Sequence, residues 1–514
     1  MKKETKFTKT KRLSDIRNEC SAEVSLPDYN PDVRKVLLVS ADPHPVSIFA
    51  ASDGLECSGT VNFNVVYIDF DGQVNSAPFS GDYNFKVKCD TESYKSAVLE
   101  PSVLNVSLRL MSPRKIAAKA SLENRLTVIS EDYLFTEGDA LAEELDPQLD
   151  TVTVRSSTAV ISQPQEREYA EVLARFEGKT TDEVHILHTQ VTPVVLSLDP
   201  CDEGFDLTGK LAVNALIKTD EVPLYKLEKS IDVSEKIAMP DMLNGAPRAV
   251  IDVASVTSSV NGDTSGVDLV LNVITETQVL CQGNESFDLV TDAYLCTADL
   301  DNIYTDITLC EYLDRVKHRG EIDEKVSLGE YDAGKLREVV CCEATPRVDT
   351  VNVEGKTVAI SGELLVSCIA TEIKDDGSTE FIPLKFNIKF AENVNINSQI
   401  GQNSRVNVTT LPVFCSVTVD SANAYVKAII DFEIELSEDK EHQILSQSDI
   451  SSGSSYAPNP SRITVYYPTK GDTLYKVAKA YHTTRERLIS DNPAVKETSI
   501  SDDFSAKINH LIIT

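Results

Sequence analysis

The chain has 514 residues, 41% of them apolar, and carries 49 basic and 81 acidic side chains for a formal charge of −32. At roughly 150 residues per domain this length calls for three to four packed units, the apolar share excludes a disordered chain, and the acidity argues against nucleic acid or anionic membrane as partner. No run reaches the ~18 to 20 consecutive apolar residues of a membrane helix, and the basic start MKKETKFTKTKR leads into polar sequence without a signal-peptide core, so a cytosolic protein is expected.

In chain order, residues 1–17 hold seven basic and two acidic groups and read as a basic tail. Residues 18–130 form the first of three repeats. Its landmark is Pro43, followed sixteen residues later by Gly59 and an alternating run of Val61, Phe63, Val65 and Tyr67. Period two marks a strand with one buried face. Before it, Asn30-Pro31-Asp32 ahead of Val33, Val36 and Leu37 suggests a capped helical turn. After it, Asp71-Gly72 is a hairpin dipeptide and Ile116, Ala118, Ala120 and Leu122 make a second alternation. Residues 131–150 contain eight acids and no base, which predicts a solvated linker, drawn over 131–165.

Repeat 2 (166–305) has the same frame in Pro193 and Gly209, with Leu211, Val213, Ala215 and Ile217, then Val267, Leu269, Leu271 and Val273; Asp220-Glu221 stands where the hairpin dipeptide would be. Repeat 3 (306–440) has Pro346 and Gly362, then Leu364, Val366, Cys368 and Ala370, the dipeptide Asp376-Gly377, and a long run from Val426 to Leu436. Upstream, Val326-Ser327-Leu328 and Tyr331 match Val24-Ser25-Leu26 and Tyr29. The expected fold class is therefore mainly β, with three tandem β-sandwich-like domains. Eleven cysteines without a CxxC pair, Cys57, Cys281, Cys296, Cys368 and Cys415 among them inside apolar alternations, read as buried reduced thiols.

Residues 441–461, rich in Ser, Gly and Pro, should be a flexible tether to a C-terminal module at 462–514. There a short strand at 463–467 is followed by Lys470-Gly471-Asp472-Thr473-Leu474. Asp472 is the expected cap of a helix with Leu474, Val477, Ala478 and Tyr481 on one face. Thr483 and Glu486 form a capping box for a second helix that Asn492-Pro493 ends, and 508–513 is a second strand. This small α/β (βααβ) pattern, with GDTLYKVAKAY and DNP, resembles the LysM module across the whole segment, with Tyr475 where the family commonly has tryptophan. By that resemblance the binding groove has Gly471, Asp472, Thr473 and Leu474 on one wall and Asp491, Asn492, Pro493 and Ala494 on the other.

The stretch Glu23-Val24-Ser25-Leu26-Pro27-Asp28-Tyr29-Asn30-Pro31-Asp32-Val33 is similar to the opening motif of the SPOCS (DUF3794) domain. The second repeat lacks it, and the third reads Leu328-Gly329-Glu330-Tyr331. Three such domains followed by one LysM is the arrangement of the SipL-type family of clostridial spore-coat morphogenesis proteins. The resemblance implies a non-enzymatic scaffold of the mother-cell cytoplasm, placed at the forespore surface by its LysM module. The implied partner is the coat-basement morphogenetic ATPase, with peptidoglycan glycan as the alternative ligand of a wall- or cortex-associated protein.

Catalytic motifs are not evident. None of the seven histidines lies in HExxH, no P-loop or GxSxG occurs, and in Gly262-Asp263-Thr264-Ser265-Gly266 the serine stands one place too late. His185 and His188, three apart in strand-like text, would face opposite sides of a sheet. No cofactor, no metal and no enzymatic activity are expected, and oligomeric state is open.

Overall fold

The computed structural model describes residues 2–239, 243–329, 334–397, 400–401, 403–420, 422–453, 456, 463–493, 495 and 510–514. Strands take 76% of the residues, and two short α-helices occur among those described, so the protein is mainly β.

One strand arrangement recurs three times. In the first repeat β1 (Lys2–Ser25), β2 (Val33–Ala51), β3 (Gly54–Asp69), β4 (Val74–Val87), β5 (Tyr94–Ser112) and β6 (Lys115–Glu137) form an antiparallel sheet in the order 2-3-4 and a long ladder in which β6 lies between β1 and β5. The second has β7 (Gln148–Ile161), β8 (Gln165–Glu177), β9 (Val184–Cys201), β10 (Gly204–Thr219), β11 (Tyr225–Ala238), β12 (Ala246–Gly262) and β13 (Gly266–Tyr294). Here the sheet is 9-10-11, and β7 and β8 together do the work of β1 along β13. The third has β14 (Leu300–Ser327), β15 (Leu336–Glu354), β16 (Thr357–Ile373), β17 (Thr379–Asn395), β18 (Ser404–Val419) and β19 (Asn423–Ile450), with the sheet 15-16-17 and β19 between β14 and β18.

The two alternations of each repeat face each other. Val61 and Phe63 meet Ala118, Ala120 and Leu122; Leu211 and Val213 meet Leu269, Leu271 and Val273; Leu364 and Val366 meet Ala428, Ile430 and Phe432. Each Val, Leu, Ile or Phe among them removed from water contributes roughly 1.5–3 kcal/mol, which is what holds sheet to ladder. The hairpin dipeptides behave as their chemistry demands: Gly72 and Gly377 sit at φ of +81° and +82°. The second repeat turns instead through a Thr219–Val222 hydrogen-bonded loop.

The spacing of proline and glycine has a structural cause. Pro43, Pro193 and Pro346 lie on β2, β9 and β15, each at a sheet edge, where a missing N–H costs no ladder bond. They pair with Val61, Leu211 and Leu364, two residues beyond Gly59, Gly209 and Gly362. At those glycines the register slips, and a Cβ would lie 2.3, 2.7 and 2.1 Å from the carbonyl oxygens of His44, Val194 and Arg347. A bulged edge strand crowds the next strand there, and only glycine fits.

The repeats pack around one another. At one end the ladder extensions share a core of Phe7, Val154, Leu289, Leu309 and Ile444, with Phe7 stacked on Phe287 at 4.7 Å. At the other, Leu37, Leu38, Leu187, Leu216, Cys341 and Ile369 gather from all three sheets. Beside that cluster His188 lies 2.9 Å from both Asn64 and Glu343, one residue from each repeat.

Four expectations are corrected. Residues 2–25 are a strand, not a basic tail: β1 pairs along β6, Phe7 and Thr10 turn inward, and Lys6 and Lys9 turn to Glu131 (2.6 Å) and Asp132 (3.7 Å). The acidic linker is largely strand too, its first part being the partner that β1 requires and its last part β7. Asn30-Pro31-Asp32 is a loop, not a helical turn. Arg114 binds the carbonyls of Leu26, Pro27 and Asn30 and the Asp32 carboxylate, and Tyr67 donates to the Pro31 carbonyl. The corresponding Glu330 and Tyr331 of repeat 3 lie outside the described residues. Finally, residues 441–450 of the expected tether belong to β19, while 454–455 and 457–462 lie outside the described residues.

Candidate partner-binding site

The C-terminal segment is β20 (Thr464–Tyr466), α1 (Leu474–Ala480), α2 (Arg485–Asp491) and β21 (Leu511–Ile513), with β20 antiparallel to β21. Leu474, Val477, Ala478, Leu488, Leu511 and Ile513 are buried together, which makes the helical spacing read from the sequence the inner face of α1. Tyr481 stays partly exposed, edge-on to Tyr466 at 5.6 Å.

Both helix starts are set one residue later than the motif suggested. Thr473, not Asp472, caps α1 by accepting from Lys476 N, and Thr484, not Thr483, caps α2 by accepting from Arg487 N. Asp472 is drawn to the preceding turn, where its carboxylate accepts from the Tyr466 hydroxyl (2.6 Å) and from Thr469 N (2.6 Å). That bond raises the Tyr466 phenol above its usual range. Thr483 is buried, and its carbonyl accepts from the Tyr294 hydroxyl at 2.8 Å.

Seven of the eight residues expected to form a groove lie among the described residues, and they fall into three groups. Leu474 and Asn492 are buried; Asn492 donates to the carbonyls of Leu488 (2.8 Å) and Ile512 (2.7 Å) and accepts from Ile512 N, tying α2 to β21. Asp472, Thr473 and Asp491 hold turns and ends, Asp491 by accepting from Thr514 Oγ1 at 2.6 Å. Gly471, at φ +91°, and Pro493 are exposed, and the Gly471 carbonyl accepts from Lys476 Nζ. A Cβ on Gly471 would meet open space, so its glycine is demanded by the backbone and not by crowding. Ala494 lies outside the described residues.

Sequence reading missed what lies behind α1. Tyr475 is buried edge-on against Tyr294 of β13 (5.2 Å), Lys479 pairs with Asp292 (2.5 Å), and Tyr456 stacks on His482 (4.1 Å) while bonding to Asp299. The segment is thus docked on the end of β13 and not isolated by its tether. Burial raises the phenols of Tyr294 and Tyr475. The available signal was Tyr475 itself, a large ring at a position that the helix turns toward the body. On the opposite side Ile463, Val465, Tyr467 and Ile512 are exposed.

No protein-family model matches the chain, and no curated protein or solved structure matches it either. Among the described residues no helix is long and apolar enough to cross a membrane.

Proposed function

We propose that the chain is a non-enzymatic scaffold of the SipL type: three tandem β-sandwich repeat domains of the SPOCS kind, followed by a small βααβ module of the LysM kind. In this reading it acts in the mother-cell cytoplasm and at the forespore surface, where the module binds the coat-basement morphogenetic ATPase. The observation that supports it is the exposed, left-handed Gly471 turn opening α1, set on a module whose other face is fixed to the body. An exposed turn on a module docked against the body suits an adaptor, because less order remains to be lost on binding than for a freely tethered module.

A second reading, N-acetylglucosamine glycan binding, is favoured by the exposed Tyr467 ring near His510 (6.4 Å), since aromatic faces suit sugar rings. Binding of the full chain to purified ATPase and to peptidoglycan sacculi separates the two. Gly471→Val should abolish ATPase binding and Gly471→Asn, which tolerates left-handed φ, should keep it. Retention by sacculi with no ATPase binding would replace the first reading by the second.

A further inference from the structure

A cavity of about 760 Å³ lies where the three repeats meet. Pro43, Pro193 and Pro346 all line it, so the feature that marks the repeats in sequence is also what shapes this wall. Glu100, Arg125 and Arg248 stand on the wall from the ladders.

Four guanidiniums in or beside this wall are paired to different degrees. Arg248 grips Glu100 with both terminal nitrogens (2.5 and 2.6 Å), Arg12 holds Glu435, and Arg315 sits 3.2 Å from Glu433. Arg125 is the fourth guanidinium, its side chain 11% exposed. Its one ion pair among the described residues is a loose 3.7 Å approach to Glu123, which Arg17 approaches too at 3.6 Å. Its nitrogens keep some exposure and make no hydrogen bond among the described residues, whereas the Nε of Arg248 and the Nε and one terminal nitrogen of Arg315 are buried without a partner among them. Burial lowers the Arg125 pKa; Glu100 opposes this, and Arg12 and Arg248 press the same way as burial. A buried guanidinium without a tight counter-charge is costly to keep. Repeats 2 and 3 carry Glu276 and Glu433 at the position equivalent to Arg125, so a cation stands there in repeat 1 alone.

We infer that this cavity binds a small organic anion whose carboxylate or phosphate is held by Arg125, with Arg248 remaining on Glu100 and the body of the anion against the proline-lined wall. Planar guanidinium forks match both oxyanions in paired hydrogen bonds. The volume falls within the roughly 300–1,000 Å³ of small-molecule sites. Of the other carboxylates on the wall, Asp431 is held by Arg319 at 2.7 and 2.8 Å, Glu433 lies 3.2 Å from Arg315 and Asp252 lies 3.5 Å from His44, while Glu123 is the loose partner of Arg125 that a bound anion would displace.

The test uses the full chain, with inorganic phosphate and citrate as probes at constant ionic strength, followed by thermal unfolding and calorimetry. Saturable stabilisation at one site per chain by either probe is expected, and which probe acts identifies the oxyanion. Without anion, Arg125→Met should unfold at a higher temperature than the parent chain, and its affinity for the probe should fall at least tenfold. Arg319→Met, on the same wall but paired with Asp431, should bind as the parent does. The inference fails if neither probe saturates, if Arg125→Met binds equally well, or if that variant melts lower without anion, which would make Arg125 an ordinary structural partner.

Discussion

His188 Nε2 lies 2.9 Å from Glu343 Oε1, joining the second repeat to the third, while the other ring nitrogen faces Asn64 of the first. Burial pulls the His188 pKa down, but the Glu343 bond and the charges of Glu343 and Asp42 outweigh it and leave the pKa raised. Burial also raises the Asp42 carboxyl, and His44 beside Asp252 is raised as well. A raised pKa means that the folded state holds its proton more tightly. The stabilisation is complete below the ordinary histidine range near pH 6.5 and is lost as pH rises through the folded value. Thermal unfolding should therefore move to lower temperature between about pH 6 and 8. His188→Gln, which cannot take up the charge, should flatten that limb.

At the acid end the sign reverses. Burial alone would raise the Glu100 carboxyl, but Arg248 holds it at about 2, and backbone amides of Ala422 and Asn423 with the Tyr425 hydroxyl hold Asp420 at about 2. Stabilisation from such lowered groups is present above the ordinary carboxylate range and is lost as pH falls through the folded values. Unfolding monitored by circular dichroism should show loss of stability between about pH 4 and 2, and Asp420→Asn should weaken this dependence.

Phe432 is buried between the sheet and ladder of the third repeat, edge-on to Phe390 at 5.7 Å. Phe432→Ala should cost about 3–5 kcal/mol in urea unfolding, through lost burial and the cavity left behind.

Two glycines of the same repeat should respond differently to alanine. At Gly362 the added carbon would strike the Arg347 carbonyl, and a loss of about 2–3 kcal/mol is expected. At Gly377 it would meet open space at φ +82°, so only the backbone strain of about 1 kcal/mol remains. Equal effects in urea unfolding would contradict the bulge as the reason for Gly362.

Tyr294 fixes the C-terminal segment. Tyr294→Phe removes only the hydrogen bond to the Thr483 carbonyl, worth about 1 kcal/mol, whereas Tyr294→Ala removes the ring that covers Tyr475. Amide exchange in α1 should quicken slightly in the first variant and strongly in the second, with β3 and β16 unchanged.

The buried faces of the repeats were legible because a strand with one face in the core writes period two into its sequence. Val61, Phe63, Leu211, Val213, Leu364 and Val366 are all buried where alternation placed them. The same period hid the first strand. Closely spaced lysines dominated its composition and masked Phe7 and Thr10, which are buried on opposite faces of the strand, and its acidic partner lay more than a hundred residues away. Each charged run looks solvated by itself; only the pairing shows that they neutralise each other. The caps of α1 and α2 were displaced because neighbouring residues can both cap, and the choice was made by Tyr466 and Tyr294, outside the helices. The prolines of the cavity wall were legible as the frame of the repeats, but the pairing of its charges was not, since Glu100 and Arg248 come from different repeats and meet only in the fold.

The pairing of β1 with β6 also bears on how the protein is made. Residues 26–114 must be synthesised between the two strands, which at about 5–20 residues per second leaves β1 without its partner for on the order of ten seconds. A lone strand in a crowded cell invites wrong pairing, and closely spaced lysines are among the best deterrents. The charges that lock β1 to its acidic neighbour in the finished protein would also guard it on the ribosome until that neighbour arrives.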